Sequence, residues 1–152
     1  MNDTYKYIKY KSKYLEQEGG KKHSKKRISQ HHTMEKSKDV DYLEHLSEPW
    51  FSLISLGLKT VEGRKNSGKF KDMKIGEIIE WANSDFRPRS VKTKIVGKNV
   101  YQTFEEYLLT EGLDKCLPGI KDIETGLSVY FKYYTKEQES EFGVVAIMLE
   151  IV

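Results

Sequence analysis

A chain of 152 residues, 38% of them hydrophobic, suffices for one domain with a modest core and needs neither metal nor disulfide to hold it. Its single cysteine, Cys116, excludes an intramolecular disulfide and any multi-cysteine zinc site. His23, His31, His32 and His45 show no metal-ligand spacing, so neither metal nor cofactor is expected. The net charge of +3 is unevenly divided: residues 1–38 carry eleven Lys/Arg against four Asp/Glu, residues 39–152 fifteen against nineteen, and residues 59–98 eleven against five.

No run approaches a membrane span and the N-terminus lacks the apolar segment of a secretory signal, so a soluble, intracellular protein is expected. Residues 5–17 (YKYIKYKSKYLEQ) interleave Lys with aromatics at helical spacing, which predicts a short amphipathic basic helix. Gly19-Gly20 and KKHSKKRISQHH break that periodicity and hold almost nothing apolar to offset ordering entropy. Residues 1–39 are therefore expected to be a flexible basic arm and linker, and residues 40–152 the folded domain. Contact with nucleic acid, adhesion to an anionic membrane, and solubility or targeting are all open to the arm.

From Asp41 the texture changes, and residues 42–46 predict a short strand. Residues 49–56 (PWFSLISL) predict an apolar helix, with Pro49 where a missing N–H costs little and Gly57 just past the end, where positive φ is favoured. Thr60-Val61 then opens a strand whose period of two sets Glu62 and Arg64 on one face with Thr60, and Val61 on the other. Lys59, at the turn, approaches the same cleft. Two cations and one carboxylate within GLKTVEGR suit a phosphate, a carboxylate or a base edge; a surface salt-bridge ladder is the other outcome of such spacing.

Residues 78–81 read as a strand, and residues 90–101 as another whose alternation is disturbed at Val96-Gly97. Thr103 with Glu106 three later is a capping-box signature, predicting a helix over 104–110 ended by Gly112, with a further turn over 113–117. Residues 123–134 present Leu127, Tyr130, Phe131 and Tyr134 on one helical face, and residues 142–152 are too continuously apolar for anything but a buried strand. The elements define an α+β, β-rich domain with short helices in its connections. Near the cleft, Trp50 and an exposed Phe86 are candidates for stacking a base, and Arg87 and Arg89, splayed around Pro88, for contacting phosphates. Trp81 is expected in the core, and Tyr130, Tyr133 and Tyr134 are read as packing residues.

With G-x-K-x-x-E-x-R at Gly57, Lys59, Glu62 and Arg64, followed in order by GKFKDMKIGEIIEW, YQTFEEYLLTEGLDKCLPGI and VYFKYYTKEQESEFGVVAIMLEI, residues 42–152 resemble the ASCH domain family. The resemblance implies a PUA-like mixed β-barrel with a cleft floored by the motif strand and walled by helices. It also implies recognition of RNA or a modified nucleotide, with DNA possible, through Lys59, Glu62 and Arg64, Gly57 serving as the hinge. Some members are small hydrolases that remove the acyl group of an acetylated cytidine with Lys, Thr and a helical Glu. Here Lys59 is retained, Glu62 stands at the Thr position, and Glu111 falls at about the place of the helical Glu, so hydrolysis would rest on Lys59 with Glu62 or Glu111. Other members have been regarded as ribonucleases, in which case Arg64 would hold the phosphate. The opening YKYIKYKSKYL resembles the YKYLKYKxKYL starts of proteins from large DNA viruses. The expected function is an RNA-binding or modified-nucleotide-binding module. The hydrolase is the alternative, and an adaptor acting through the Tyr/Lys arm is a third class.

Overall fold

The computed structural model describes residues 35–152; the basic helix expected over 5–17 and most of the linker lie outside them. Residues Lys36–Val152 form one compact unit. Its elements in chain order are β1 (Tyr42–Leu46), α1 (Trp50–Ser55), β2 (Val61–Lys65), α2 (Gly68–Asp72), β3 (Ile78–Asn83), β4 (Ser90–Tyr101), α3 (Phe104–Glu111), α4 (Leu113–Cys116), α5 (Ile123–Tyr130), α6 (Lys136–Phe142) and β5 (Val144–Ile151).

The strands make one sheet in the order β1-β3-β4-β5-β2, with β1 parallel to β3 and every other pair antiparallel. β1 and β2 are therefore opposite edges, yet Leu46 of one and Glu62 and Arg64 of the other line a single cavity. The sheet achieves this by curling into a half-barrel. β4 bends it: residues 90–94 pair with β3 and residues 93–101 with β5, and the register shifts between Ile95 and Gly97. The disturbed alternation at Val96-Gly97 is this bulge, which kinks and twists the strand. Across the open seam, Lys69 of α2 ion-pairs with Glu44 of β1.

An apolar core lies on each face of the sheet. Phe51, Ile79, Trp81 and Ile95 fill the inside of the curl, and Phe104, Tyr107, Leu108 and Tyr130 pack the helices on the other face. β5 serves both, sending Val145, Ile147 and Leu149 inward and Val144 and Ala146 toward the helices, which explains why its sequence lacks polar alternation. On β2 the same alternation puts Val61 with the helices, while Glu62 and Arg64 pair opposite Ile147 and Val145 and face inward.

Trp81 is 0% exposed, and its Nε1–H donates to Thr93 Oγ1 at 2.8 Å across the β3–β4 pair. Thr93→Val keeps the shape and orphans a buried donor. It is expected to cost about 1–3 kcal/mol in urea unfolding, against less than about 0.5 kcal/mol for an exposed threonine such as Thr110→Val.

One helix is clearly shorter than the sequence pattern suggests, and two others lie where none is expected. The helix expected over 123–134 stops at Tyr130, because Thr135 caps a new helix, α6. The residues Thr135 and Gln138 form a reciprocal capping box there. That helix runs through Phe142, so β5 begins at Val144 rather than at residue 142. At Thr103 the side chain accepts the Glu106 N–H as expected, but the Glu106 carboxylate takes the N–H of Gln102, one residue before the cap. The short α2 has no apolar periodicity to announce it; among its residues Phe70 packs against the inner core.

Candidate functional site

The motif segment is positioned by the end of α1. Gly57, at φ +70°, donates to Ile54 O at 2.9 Å, and the N–H groups of Leu58 and Lys59 both reach Leu53 O at 3.0 Å. This left-handed turn is the expected hinge, and it delivers Lys59 to the start of β2.

Lys59 is 2% exposed. Its ammonium donates to Val61 O at 2.8 Å and to Cys116 O, and ion-pairs with Glu62 Oε2 at 3.0 Å. An ammonium has three N–H donors, so all are committed to protein acceptors. Lys59 therefore ties β2 to the end of α4 and holds Glu62.

Glu62 is 6% exposed and lies between two cations, with Oε1 accepting from Arg64 Nε at 2.9 Å. Burial alone would push its pKa up. Lys59 and Arg64 outweigh that, holding the carboxyl below the usual carboxylate range.

Arg64 lies over the rings of Phe70 (5.0 Å to the centroid) and Trp81 (5.7 Å), with its side chain 19% exposed. Burial opposes its charge, and Glu62 foremost restores it, so its pKa is raised. Its one hydrogen bond among the described residues is through Nε. Among the described residues the Nη groups meet no hydrogen-bond acceptor.

These side chains line a cavity of about 430 Å³, within the range of small-molecule sites. His45, Ser47 and Ser84 line it from the β1 side, Trp50 from α1, and Tyr130, Tyr133 and Tyr134 from the end of α5 and the turn after it. Tyr130 is fixed from behind: its hydroxyl lies 3.0 Å from that of Tyr107, and its ring stacks on Phe104 at 4.5 Å. Tyr107 in turn packs on Gly63, where a Cβ would sit 2.6 Å from the ring. The glycine between Glu62 and Arg64 is thus what allows the helical layer to close on β2. Burial raises the pKa of Tyr107 and Tyr130 well above the ordinary phenol value and that of Cys116 to about 11, so all three remain neutral.

Among the residues foreseen from sequence, Lys59, Glu62, Arg64 and Trp50 meet in this cavity. Phe86 is 56% exposed, and it lies with Arg87 and Arg89 in the loop that begins at the cavity rim with Ser84. Glu111 is placed elsewhere: its carboxylate accepts from Tyr101 Oη at 2.5 Å and Asn99 Nδ2 at 2.8 Å, and it does not line the cavity. Burial, aided by that carboxylate, raises the pKa of Tyr101 to about 12. Tyr130, Tyr133 and Tyr134, read as packing residues, line the cavity as well, and His45 joins them. Helical spacing does not separate packing from lining when one ring edge faces each. Among the described residues no group of three His, Cys, Asp or Glu side chains gathers to hold a metal ion.

A curled mixed sheet with an arginine-floored, aromatic-walled cavity between its motif strand and its helices defines a PUA-like domain. The chain belongs to the ASCH domain family, whose model matches residues 45–152. It is similar to the crystal structure of hypothetical protein PH0355, at 38% identity and TM-score 0.65, over 73% of this chain and 98% of that one. It is also similar to the solution structure of protein PF0455 from Pyrococcus furiosus, at 35% identity and TM-score 0.59, over 73% and 96%. No curated protein matches the chain. No described helix is long and apolar enough to cross a membrane.

Proposed function

We propose that the cavity takes a single nucleobase, of RNA or of a modified nucleoside, with Trp50, Tyr133 and Tyr134 against its faces and the Nη groups of Arg64 on its acceptor edge. The observation that carries this reading is Arg64 itself. Its guanidinium is oriented by Glu62 and two aromatic rings, while its Nη donors are unmatched among the described residues. A partly buried donor pair of this kind favours a ligand with adjacent acceptors, and a base offers such an edge together with two π-faces. One carboxylate against two cations also leaves the cavity one positive charge in excess, which suits the acceptor edge of a base or a nearby phosphate. DNA bases present the same edges and fit the same reading. The basic arm, residues 1–38, would add salt-sensitive affinity without sequence preference.

In this scheme Lys59 and Glu62 orient Arg64 and do not touch the ligand. No observation favours the acyl-cytidine hydrolase or the ribonuclease: Lys59 has its donors committed, Glu62 is held as a paired carboxylate, and Glu111 is engaged by Tyr101 and Asn99.

Titration of the full chain with ribonucleosides and short single-stranded RNA, with Arg64→Lys alongside, tests the reading. Lysine keeps the charge and loses the fork, so binding is expected to weaken about tenfold to a hundredfold. Equal affinity for both proteins at equal folded fraction would overturn it.

A further inference from the structure

We infer that the loop over residues 84–89 is a second subsite, taking the base and phosphate adjacent to the nucleotide in the cavity, and that the natural ligand is therefore a single-stranded polynucleotide rather than a free nucleoside. The inference rests on the cavity being a nucleobase site, and it names what lies next to that base.

A lone exposed aromatic needs no explanation on a protein surface. Phe86 differs in how it is mounted. The fully buried Asn83 closes both ends of the loop, its N–H donating to Arg89 O at 2.8 Å and its Oδ1 accepting from the N–H groups of Asp85 (2.9 Å) and Phe86 (3.0 Å). Asn83 Nδ2 donates to Glu48 Oε1 at 2.7 Å, and Glu48 N–H donates to Asp85 Oδ2 at 2.8 Å. Glu48 also accepts from the N–H and hydroxyl of Ser52 in α1. The loop is thus fastened through the Asn83 and Asp85 side chains to the corner that carries Trp50, and the Phe86 ring is presented outward on a fixed base.

Distance and charge both fit a neighbouring nucleotide. Ser84 lines the cavity, and two residues of chain reach at most about 7 Å, on the order of one nucleotide step. Arg87 and Arg89 both follow the ring in sequence on the exposed loop, and the Arg89 guanidinium lies 5.4 Å from the Phe51 ring of α1. An aromatic platform beside guanidinium groups at a cavity rim is how a flanking base is stacked and its phosphate met.

The test uses the full chain, a short randomised single-stranded RNA and the free ribonucleosides, at one fixed salt concentration, with Phe86→Ala, Phe86→Trp and Arg64→Lys. Because the loop is held through Asn83, Asp85 and the backbone of Phe86 rather than its ring, Phe86→Ala is expected to unfold at the wild-type temperature. It should bind the RNA about tenfold more weakly and the nucleosides unchanged, with Phe86→Trp restoring RNA affinity. Wild-type RNA affinity in Phe86→Ala, with weakening in Arg64→Lys, would overturn the second subsite and leave the cavity reading standing. No effect of Arg64→Lys on either probe would overturn both.

Discussion

Glu62→Gln is expected to destabilise the protein by about 3 kcal/mol, because it removes the single negative charge between the buried Lys59 and the partly buried Arg64 and leaves both charges uncompensated. The ion triad forms where the Gly57 turn, the start of β2 and the end of α4 meet, so its loss is felt by three elements at once. The accompanying pH dependence has a definite sign. Glu62 has a folded-state pKa below its ordinary value, so the unfolded chain takes up the proton first as pH falls. Its stabilising contribution is complete above the unfolded pKa, about 4.3, and is lost as pH drops from there through the folded value. Wild type should therefore lose stability across that acid window more steeply than Glu62→Gln. Urea unfolding at neutral pH and at several acid pH values checks both points. A variant as stable as wild type with a parallel acid profile would show that the triad is not the fastening described.

Gly63→Ala should be comparably damaging, at about 3 kcal/mol, the upper end of the usual cost of overpacking. The added methyl would lie 2.6 Å from Cε1 and Cζ of Tyr107 and 2.8 Å from its hydroxyl. Tyr107 has little room to retreat, since it is fully buried and its hydroxyl meets that of Tyr130, itself stacked on Phe104. Relief would have to come from separating β2 from α3, which opens the cavity wall. Gly97→Ala is the contrast: its methyl would meet Met148 Sδ at 3.1 Å and Cβ and Cγ at 3.3 Å, contacts that a shift of the flexible Met148 side chain and a small movement of the strand relieve, and a loss of about 1 kcal/mol is expected. Equal stability of the two variants by denaturant unfolding would contradict the account of Gly63.

How much of this was legible follows from the range of each interaction. Period-two alternation and a glycine-ended helix are local, so the convergence of Lys59, Glu62 and Arg64 could be read from eight residues. The β4 bulge and the doubly buried β5 were legible for the same reason, one as a break in alternation and the other as its absence. The role of Lys59 was not, because its partner carbonyl belongs to Cys116, 57 residues on, and no local pattern points there. His45 and Ser84 became neighbours of the motif only when the sheet curled and brought its edges together. The stop at Tyr130 was a different matter: Thr135 and Gln138 carry a capping-box signature in plain view, and the helical spacing of Phe131 and Tyr134 masked it. The reading of the three tyrosines as packing residues holds for Tyr130 and Tyr134, each stacked on Phe104, but all three also line the cavity, which helical spacing does not announce.

The central claim is that the cavity, not the basic arm, reads the base. Short-wave ultraviolet crosslinking of randomised single-stranded RNA to the full chain, with the attached peptides located by mass spectrometry, tests it most directly. Crosslinks on Trp50 and on the segment carrying Tyr130, Tyr133 and Tyr134, diminished by Arg64→Lys, are the expected result. Crosslinks confined to residues 1–38 and indifferent to Arg64 would contradict it.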